Sequence, residues 1–404
     1  MRVVYLNPVG EMGGAERSLL ATIAAVRRQW PSAELVLVAG TDGLLLDRAR
    51  ESGVTVHLLP LPAAVQGLGD SGLRGKGRVA TAAALGRRLP AVGLGAWDSV
   101  RRLRALLRRL RPDLVHSNGI KSHALSTLAA PRGVPVLWHV HDYLGQRPVV
   151  RWLLRAVPRP TLAMANSQSV ADDARRVLRG VPVEVVLNAI DTDRFTPGPG
   201  DGPSLDRLAG LPPAPPGVVR VGLVATYARW KGQDVFLRAA ALVGPAVRCY
   251  IVGSPIYRTA GSQFAEAELH EMANQLGVAD RVGFVPYQED TAAVYRALDV
   301  VVHASTRPEP FGLTIVEAMS CGRPTVVAAA GGAAELFTDG VDAVGHAPGD
   351  AASLAGAIGR LAADAGLRER IGAAARRTAV ARFGLDRYGR EVAAVYRRVT
   401  ARVS

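Results

Sequence analysis

Glu309 and Glu317 stand at either end of an apolar run within RPEPFGLTIVEAMSCGRPTV, residues 307–326. A solvated helix gathers its charges on one side, yet Phe311, Leu313, Ile315, Val316, Ala318 and Met319 leave this stretch almost no solvent side. Two carboxylates in such a setting need partners, because a buried charge is tolerated only when it is paired and hydrogen-bonded. The local pattern places them: DVVVHAS reads as a strand, TRPEPFG as the loop at its carboxyl end, and LTIVEAMSC as the next helix, stopped by Gly322 with Pro324 beyond it. At about 1.5 Å per helical residue the carboxylates are expected up to roughly 12 Å apart, too far to share a proton and suited to the two ends of one extended ligand. Between them, the N–H groups of Phe311, Gly312, Leu313 and Thr314 open the helix and favour a phosphate. Carboxylate, phosphate cradle and carboxylate, in that order, fit a sugar, a diphosphate and a ribose.

Other residues add to this chemistry. Lys231 in YARWKG precedes a glycine and a helix, a place that does not read as ordinary solvated surface. NPVGEMGGAER ends one strand and begins a helix, so Gly13 and Gly14 bring backbone N–H groups close to an oxyanion, although the spacing is not the GxGxxG fingerprint. Glu16 and Arg17, just inside that helix, read equally as acceptor contacts or as solvated helix residues. LWHVHDY places His139 and His141 on one face of a strand, but with Asp142 they lack the further ligands a metal needs, and His139 reads as a packed core histidine, as does His116 in VHSNG. The DTD of residues 191–193 has the D-x-D spacing of a metal motif but lies inside NAIDTDRF, and no metal role is expected of it. No metal or other cofactor is expected.

These groups must be held by an α/β scaffold. RVVYLNP, AELVLVAG, GVTVHLLP, PDLVHSN, VPVLWHVHD, TLAMANS and PVEVVLNAI are short strand candidates separated by turns or helical stretches, and AERSLLATIAAVRRQ has the spacing of an amphipathic helix. Residues 196–217, rich in Pro and Gly, read as a domain boundary containing no helix. The alternation then resumes through VVRVGLVA, VRCYIVGS, RVGFVP, DVVVHAS and PTVVAA, and RYGREVAAVYRRVTARVS ends the chain as a helix. With 404 residues, the expectation is α/β with two doubly wound, Rossmann-like domains: 1–195 with the terminal helix 386–404 packed back on it, and 196–385. Two such domains facing each other across a cleft would bind ligand at the carboxyl ends of their strands.

The glutamates in an E-x-F-G-x-x-x-x-E frame, together with GGAER, VHSN, NAIDTDRF and ARWKG in order, resemble retaining glycosyltransferases of family four, which have the GT-B fold. The resemblance covers nearly the whole chain. It implies that Glu309 contacts hydroxyls of the donor sugar, that Glu317 contacts the ribose, that Phe311, Gly312, Leu313 and Thr314 supply main-chain contacts, and that His141 hydrogen-bonds the sugar. It also implies that Gly14 approaches the donor phosphate while Gly13, Glu16 and Arg17 lie on the acceptor side. The family commonly has an Arg five positions before its Lys as a diphosphate clamp; here Lys231 matches, position 226 is Thr, and Arg229 is the substitute if the loop is extended. A double displacement needs a carboxylate nucleophile about 5 Å from its acid partner, and no such pair is evident. The resemblance implies a same-face, oxocarbenium-like transfer with retention and without metal. Alternatives are a catalytically silent nucleotide-sugar-binding partner and a GT-B nucleotide-sugar epimerase.

The formal charge of +14 is unevenly spread. Between residues 60 and 111 many basic side chains, Arg74, Lys76, Arg87, Arg101, Arg104 and Arg108 among them, face only Asp70 and Asp98. In SVRRLRALLRRLRP the leucines form one stripe and the arginines fill the rest, either as a solvated face or as a helix meeting anionic lipid, which would suit a lipid-linked or envelope-glycan acceptor. QGLGDSGLRGKGR before it reads as an acceptor-side loop. No nucleic-acid motif or basic-aromatic interleaving is present. Cys249 and Cys321 fall in apolar stretches and read as buried free thiols. No stretch reaches the roughly 18 apolar residues of a membrane span, so a cytoplasmic protein is expected, peripheral at most at the inner face of the membrane.

Overall fold

The computed structural model describes residues 1–62, 78–255 and 261–402. The chain divides into two compact units, Met1–Ala189 with Leu385–Ser404, and Ile190–Gly384. The crossing expected at 196 therefore falls earlier, at Ile190, whose N–H bonds to the carbonyl of Phe383 at 2.9 Å. The acceptor-loop candidate QGLGDSGLRGKGR lies almost wholly outside the described residues.

Among the described residues, the first unit has a seven-stranded sheet built from β1 (Arg2–Asn7), β2 (Glu34–Ala39), β3 (Thr55–Leu58), β4 (Leu114–Asn118), β5 (Val136–Val140), β6 (Leu162–Ala165) and β7 (Val183–Val185). Their order is β3-β2-β1-β4-β5-β6-β7, and each adjacent pair is parallel. Parallel strands need crossover helices, which bury both faces of the sheet, and this is why β4 and β5 are buried at every residue instead of alternating. One face packs on the helices Gly14–Gln29 and Leu385–Ala401, where Tyr388 and Thr22 share a 2.8 Å hydroxyl hydrogen bond. The other face carries Leu103, Leu106, Leu107, Val150 and Leu154 from two further helices.

The second unit repeats the plan with β8 (Val219–Val224), β9 (Val247–Val252), β10 (Val282–Val285), β11 (Val300–His303), β12 (Thr325–Ala328) and β13 (Val344–His346), in the order β10-β9-β8-β11-β12-β13, again parallel. One expectation fails inside the Pro- and Gly-rich segment, which contains a helix, Gly202–Leu208. Pro203 sits in its first turn, where a missing N–H costs nothing, and the Asp201 side chain caps the N–H of Ser204. Both cysteines are buried free thiols.

In each sheet the order reverses beside the first strand, between β1 and β4 and between β8 and β11. Loops leaving adjacent strands in opposite directions open a crevice there, the usual ligand position of such sheets. The polar side chains discussed next leave the strands at these two places.

Candidate active site

At the second switch point, β8 runs into a short 3-10 turn, Arg229–Lys231, and β11 runs into the loop that carries Glu309. Gly232 closes the turn with φ +78°, and a Cβ there would meet the carbonyl of Ala304 at 2.0 Å, so this position needs glycine. The two loops are tied together by the N–H of Thr306, which donates to the carbonyl of Trp230 at 2.8 Å.

This brings Lys231 Nζ to 2.7 Å from Glu309 Oε2. The same oxygen accepts from Ser305 Oγ at 2.9 Å and lies 3.1 Å from His303 Nε2. The backbone of Glu309 is fixed as well: its N–H bonds to Ala330 O, and its carbonyl accepts from Gly332 N at 2.8 Å. Burial by itself would raise the Glu309 carboxyl's pKa, but the Lys231 charge and the His303 contact outweigh it and hold the group well below the usual carboxylate range. Glu309 is therefore a rigid, ionised acceptor.

The helix Leu313–Ser320 follows, with Gly312 as its N-cap in a left-handed conformation, φ +104°. Leu313 and Thr314 are half-buried in its first turn, whereas the Phe311 ring is core, edge-on to Phe383 at 6.0 Å, so only its main chain can serve a ligand. Glu317 is buried, and its Oε2 accepts from the hydroxyl of Tyr295 at 2.8 Å.

Arg229 departs from expectation. A 3-10 turn has three residues per revolution, so side chains two apart do not share a side as they would on an extended loop. Arg229 turns to Glu268, 2.8 Å away, and stacks over the Phe264 ring, its guanidinium carbon 4.4 Å from the centroid. Lys231 alone of the two points at Glu309.

The first switch point gathers Asn7 from β1, Asn118 from β4 and His141 just after β5. Asn7 donates to the carbonyl of Val9 at 2.6 Å and to Glu16 Oε1 at 3.2 Å. Asn118 donates to Asn7 Oδ1 at 2.7 Å and to the carbonyl of Ala15 at 3.3 Å. Carbonyls only accept, so both amide orientations are determined and Asn118 Oδ1 must accept from His141 Nε2, 2.5 Å away. His141 is thereby held as the Nε2–H tautomer.

Glu16 corrects its reading as an acceptor contact or solvated residue. Oε1 is taken by Asn7, and Oε2 reaches back to accept from the N–H of the N-cap residue Gly13 at 3.1 Å, so Glu16 braces the loop from inside. Its pKa is raised, chiefly by burial. Gly14 is exposed, and a Cβ there would point into open space, while Arg17 is half-buried. His139 is wholly buried, its ring 3.9 Å from that of His141, and His116 bonds Tyr396 at 2.6 Å, so both are core groups. Among the described residues no three His, Cys, Asp or Glu side chains gather as a metal would require. In the DTD stretch, Asp191 accepts from the N–H groups of Asp193 and Arg194, a turn at the crossing between the units.

Asn7, Asn118, His303, Ser305 and Tyr295 were not singled out in the sequence. Four of them carry one weak signal, a polar residue at or just past the end of a buried apolar strand.

The family model "Glycosyltransferase Family 4" matches residues 12–194, and "Glycosyl transferases group 1" matches residues 214–378. A D-inositol 3-phosphate glycosyltransferase of Salinispora arenicola is 35% identical over 323 residues, 70% of this chain and 69% of its own length. The chain belongs to glycosyltransferase family four. A second relative, the D-inositol 3-phosphate glycosyltransferase of Mycolicibacterium smegmatis, is 36% identical over 59% of this chain, and the match spans only 57% of that relative. Among solved structures, HepE of Anabaena, in complex with UDP and glucose, is similar with TM-score 0.78 and 25% identity over 98% of this chain and 99% of that one. The sucrose-phosphate synthase of Thermosynechococcus elongatus shares the fold of this family-four chain, with TM-score 0.76 at 20% identity over the full length of both. Both units thus have the paired Rossmann-like architecture of the GT-B class.

Proposed function

We propose that this family-four chain is a retaining glycosyltransferase that moves a sugar from a UDP-sugar to a hydroxyl acceptor, with a lipid-linked or cell-envelope glycan as the acceptor class. The single observation that carries the reading is Lys231 held against Glu309 at the switch point of the second sheet. A fixed anionic acceptor suits sugar hydroxyls, and the adjoining ammonium suits the phosphate that leaves. Glu317, braced by Tyr295, is assigned the ribose diol; Leu313 and Thr314, with the backbone of Phe311 and Gly312, are assigned the diphosphate. HepE, whose structures hold UDP and UDP-glucose, supports the choice of base.

Breaking the anomeric bond leaves positive charge on the sugar and negative charge on the diphosphate. Lys231 and the N-terminus of Leu313–Ser320 meet the negative charge, which is why metal-free turnover is part of the proposal. With Arg229 held by Glu268, the clamp is Lys231 alone. His141, in its determined tautomer, is assigned a hydroxyl of the donor sugar, and the acceptor approaches Gly13, Gly14 and Arg17. The leaving diphosphate takes the acceptor proton on the same face, so configuration is retained.

The test is UDP release from UDP-glucose and related donors, with excess EDTA, against an acceptor panel that includes a phosphorylated polyol of the kind named for the relatives. Product configuration is read from the anomeric coupling constant. Turnover lost in Glu309→Ala that is still folded by circular dichroism, if less stable, together with a retained anomeric configuration in the wild-type product, supports the reading. Donor binding with no turnover on any acceptor supports the silent-partner alternative instead.

A further inference from the structure

Over residues 95–110, the helix Arg78–Leu110 turns two opposite sides to its surroundings. Leu103, Leu106 and Leu107 are buried in the core beside Val115, Trp138, Val150 and Leu154. On the outward side, Trp97, Arg101, Arg104 and Arg108 recur at helical spacing and line one shallow groove, with the Arg101 guanidinium 5.6 Å from the centroid of the Trp97 ring. Asp98 is the one acid in that helix, and it is spent on Arg102 at 2.8 Å and Arg101 at 3.5 Å.

The helix Pro148–Ala156 presses Val150 and Leu154 into the same core and exposes Arg151, Trp152 and Arg155; its sequence, PVVRWLLRA, contains no acid. Trp97 and Trp152 are 65% and 72% exposed, more than any other large apolar side chain among the described residues. Both lie on helices covering one face of the first sheet, and both are flanked by arginine.

An exposed indole keeps its apolar surface in water with no internal gain, so two of them on basic helices over one sheet face point to an occupant that receives them. Indoles settle at the boundary between lipid headgroups and acyl chains, and arginines beside them are drawn to anionic headgroups. Among the described residues, no helix is long and apolar enough to cross a membrane. We infer that this face of the first unit docks on an anionic bilayer surface, with Trp97 and Trp152 entering the headgroup boundary and Arg101, Arg104, Arg108 and Arg151 meeting lipid phosphates. The inference does not depend on the proposed sugar transfer, and its test contains neither donor nor acceptor.

The full chain is floated with phosphatidylcholine vesicles, with and without phosphatidylglycerol, and tryptophan quenching by brominated acyl chains is recorded. Binding is expected only with phosphatidylglycerol, together with quenching. The triple variant R101Q/R104Q/R108Q should partition roughly a hundredfold more weakly, at about 1 kcal/mol per arginine. The double variant W97S/W152S should lose the quenching. The triple variant R360Q/R370Q/R377Q removes the same charge from exposed sites on the second unit and should bind as wild type. All these positions are exposed, so melting temperatures should not move. Equal weakening in both triple variants, or phosphatidylglycerol binding that survives loss of both indoles and is matched by heparin, overturns the inference in favour of non-specific polyanion binding.

Discussion

Lys231 Nζ and Glu309 Oε2 are 2.7 Å apart although 78 residues separate them in the chain, and both groups are largely shielded from water. The pair joins the loops that leave β8 and β11. It therefore serves the fold and the proposed chemistry together, and the two roles can be separated.

Removing Lys231 alone leaves a buried carboxylate without its counter-charge. Lys231→Met should lower the unfolding free energy by about 3 kcal/mol, measured in urea, and should lower kcat by roughly a hundredfold or more. Adding Glu309→Gln should restore much of the stability and none of the turnover. If the double variant is as unstable as the single, the carboxylate is not what Lys231 compensates.

Tyr295 touches the candidate ribose site through Glu317. Tyr295→Phe keeps the ring and deletes the 2.8 Å hydrogen bond, so Glu317 is held less firmly. UDP affinity by calorimetry should fall by roughly tenfold, about 1.4 kcal/mol, while kcat at saturating donor changes little. A fall in kcat with unchanged affinity would place Tyr295 in the chemical step instead.

The tautomer of His141 follows from a chain of amides anchored on backbone carbonyls. In the wild type, nitrogen-15 NMR should find the proton on Nε2 and an unprotonated Nδ1. Asn118→Leu should mix the two tautomers and lower kcat/KM by roughly tenfold. A proton found on Nδ1 in the wild type contradicts the hydrogen-bond accounting.

His116, His123 and His139 are buried in the first unit, and burial first, then the neighbouring histidines, pushes their pKa values below the usual 6.5, to about 3 for His116. A group whose folded pKa is depressed binds protons better when unfolded, so the fold is fully stable above about 6.5 and weakens as pH falls from there toward 3. The melting temperature should drop steadily over that range. His139→Phe should flatten the slope if the fold accepts the ring, and Glu309→Gln, in the other unit, should leave it unchanged between about pH 6.5 and 5.5, above the range in which a carboxylate of depressed pKa begins to contribute.

Much of the fold was legible because parallel strands buried on both faces leave unbroken apolar runs such as VVVH, and crossover helices leave a different period between them. The expectation failed where a single residue class was read too strictly. The Pro-rich segment holds a helix because Pro203 sits in its first turn and the other prolines of residues 196–217 lie outside it, a distinction that composition does not carry.

By itself, the sequence determined the two α/β units, the family frame of Glu309 and Glu317, and the presence of Lys231 before a glycine. The tertiary structure decided the partners: Lys231 and not Arg229 at Glu309, Tyr295 at Glu317, and Asn7 and Asn118 behind His141. The physical reason lies in strand order. Short-range pattern dictates which segments are strands and which helices, but a buried polar group is satisfied by whatever loop leaves the neighbouring strand. Here those neighbours, β1 with β4 and β8 with β11, are distant in sequence. Arg229 shows the same rule at close range, since a three-residue turn and one carboxylate at position 268 sent its side chain away from the place that spacing suggested.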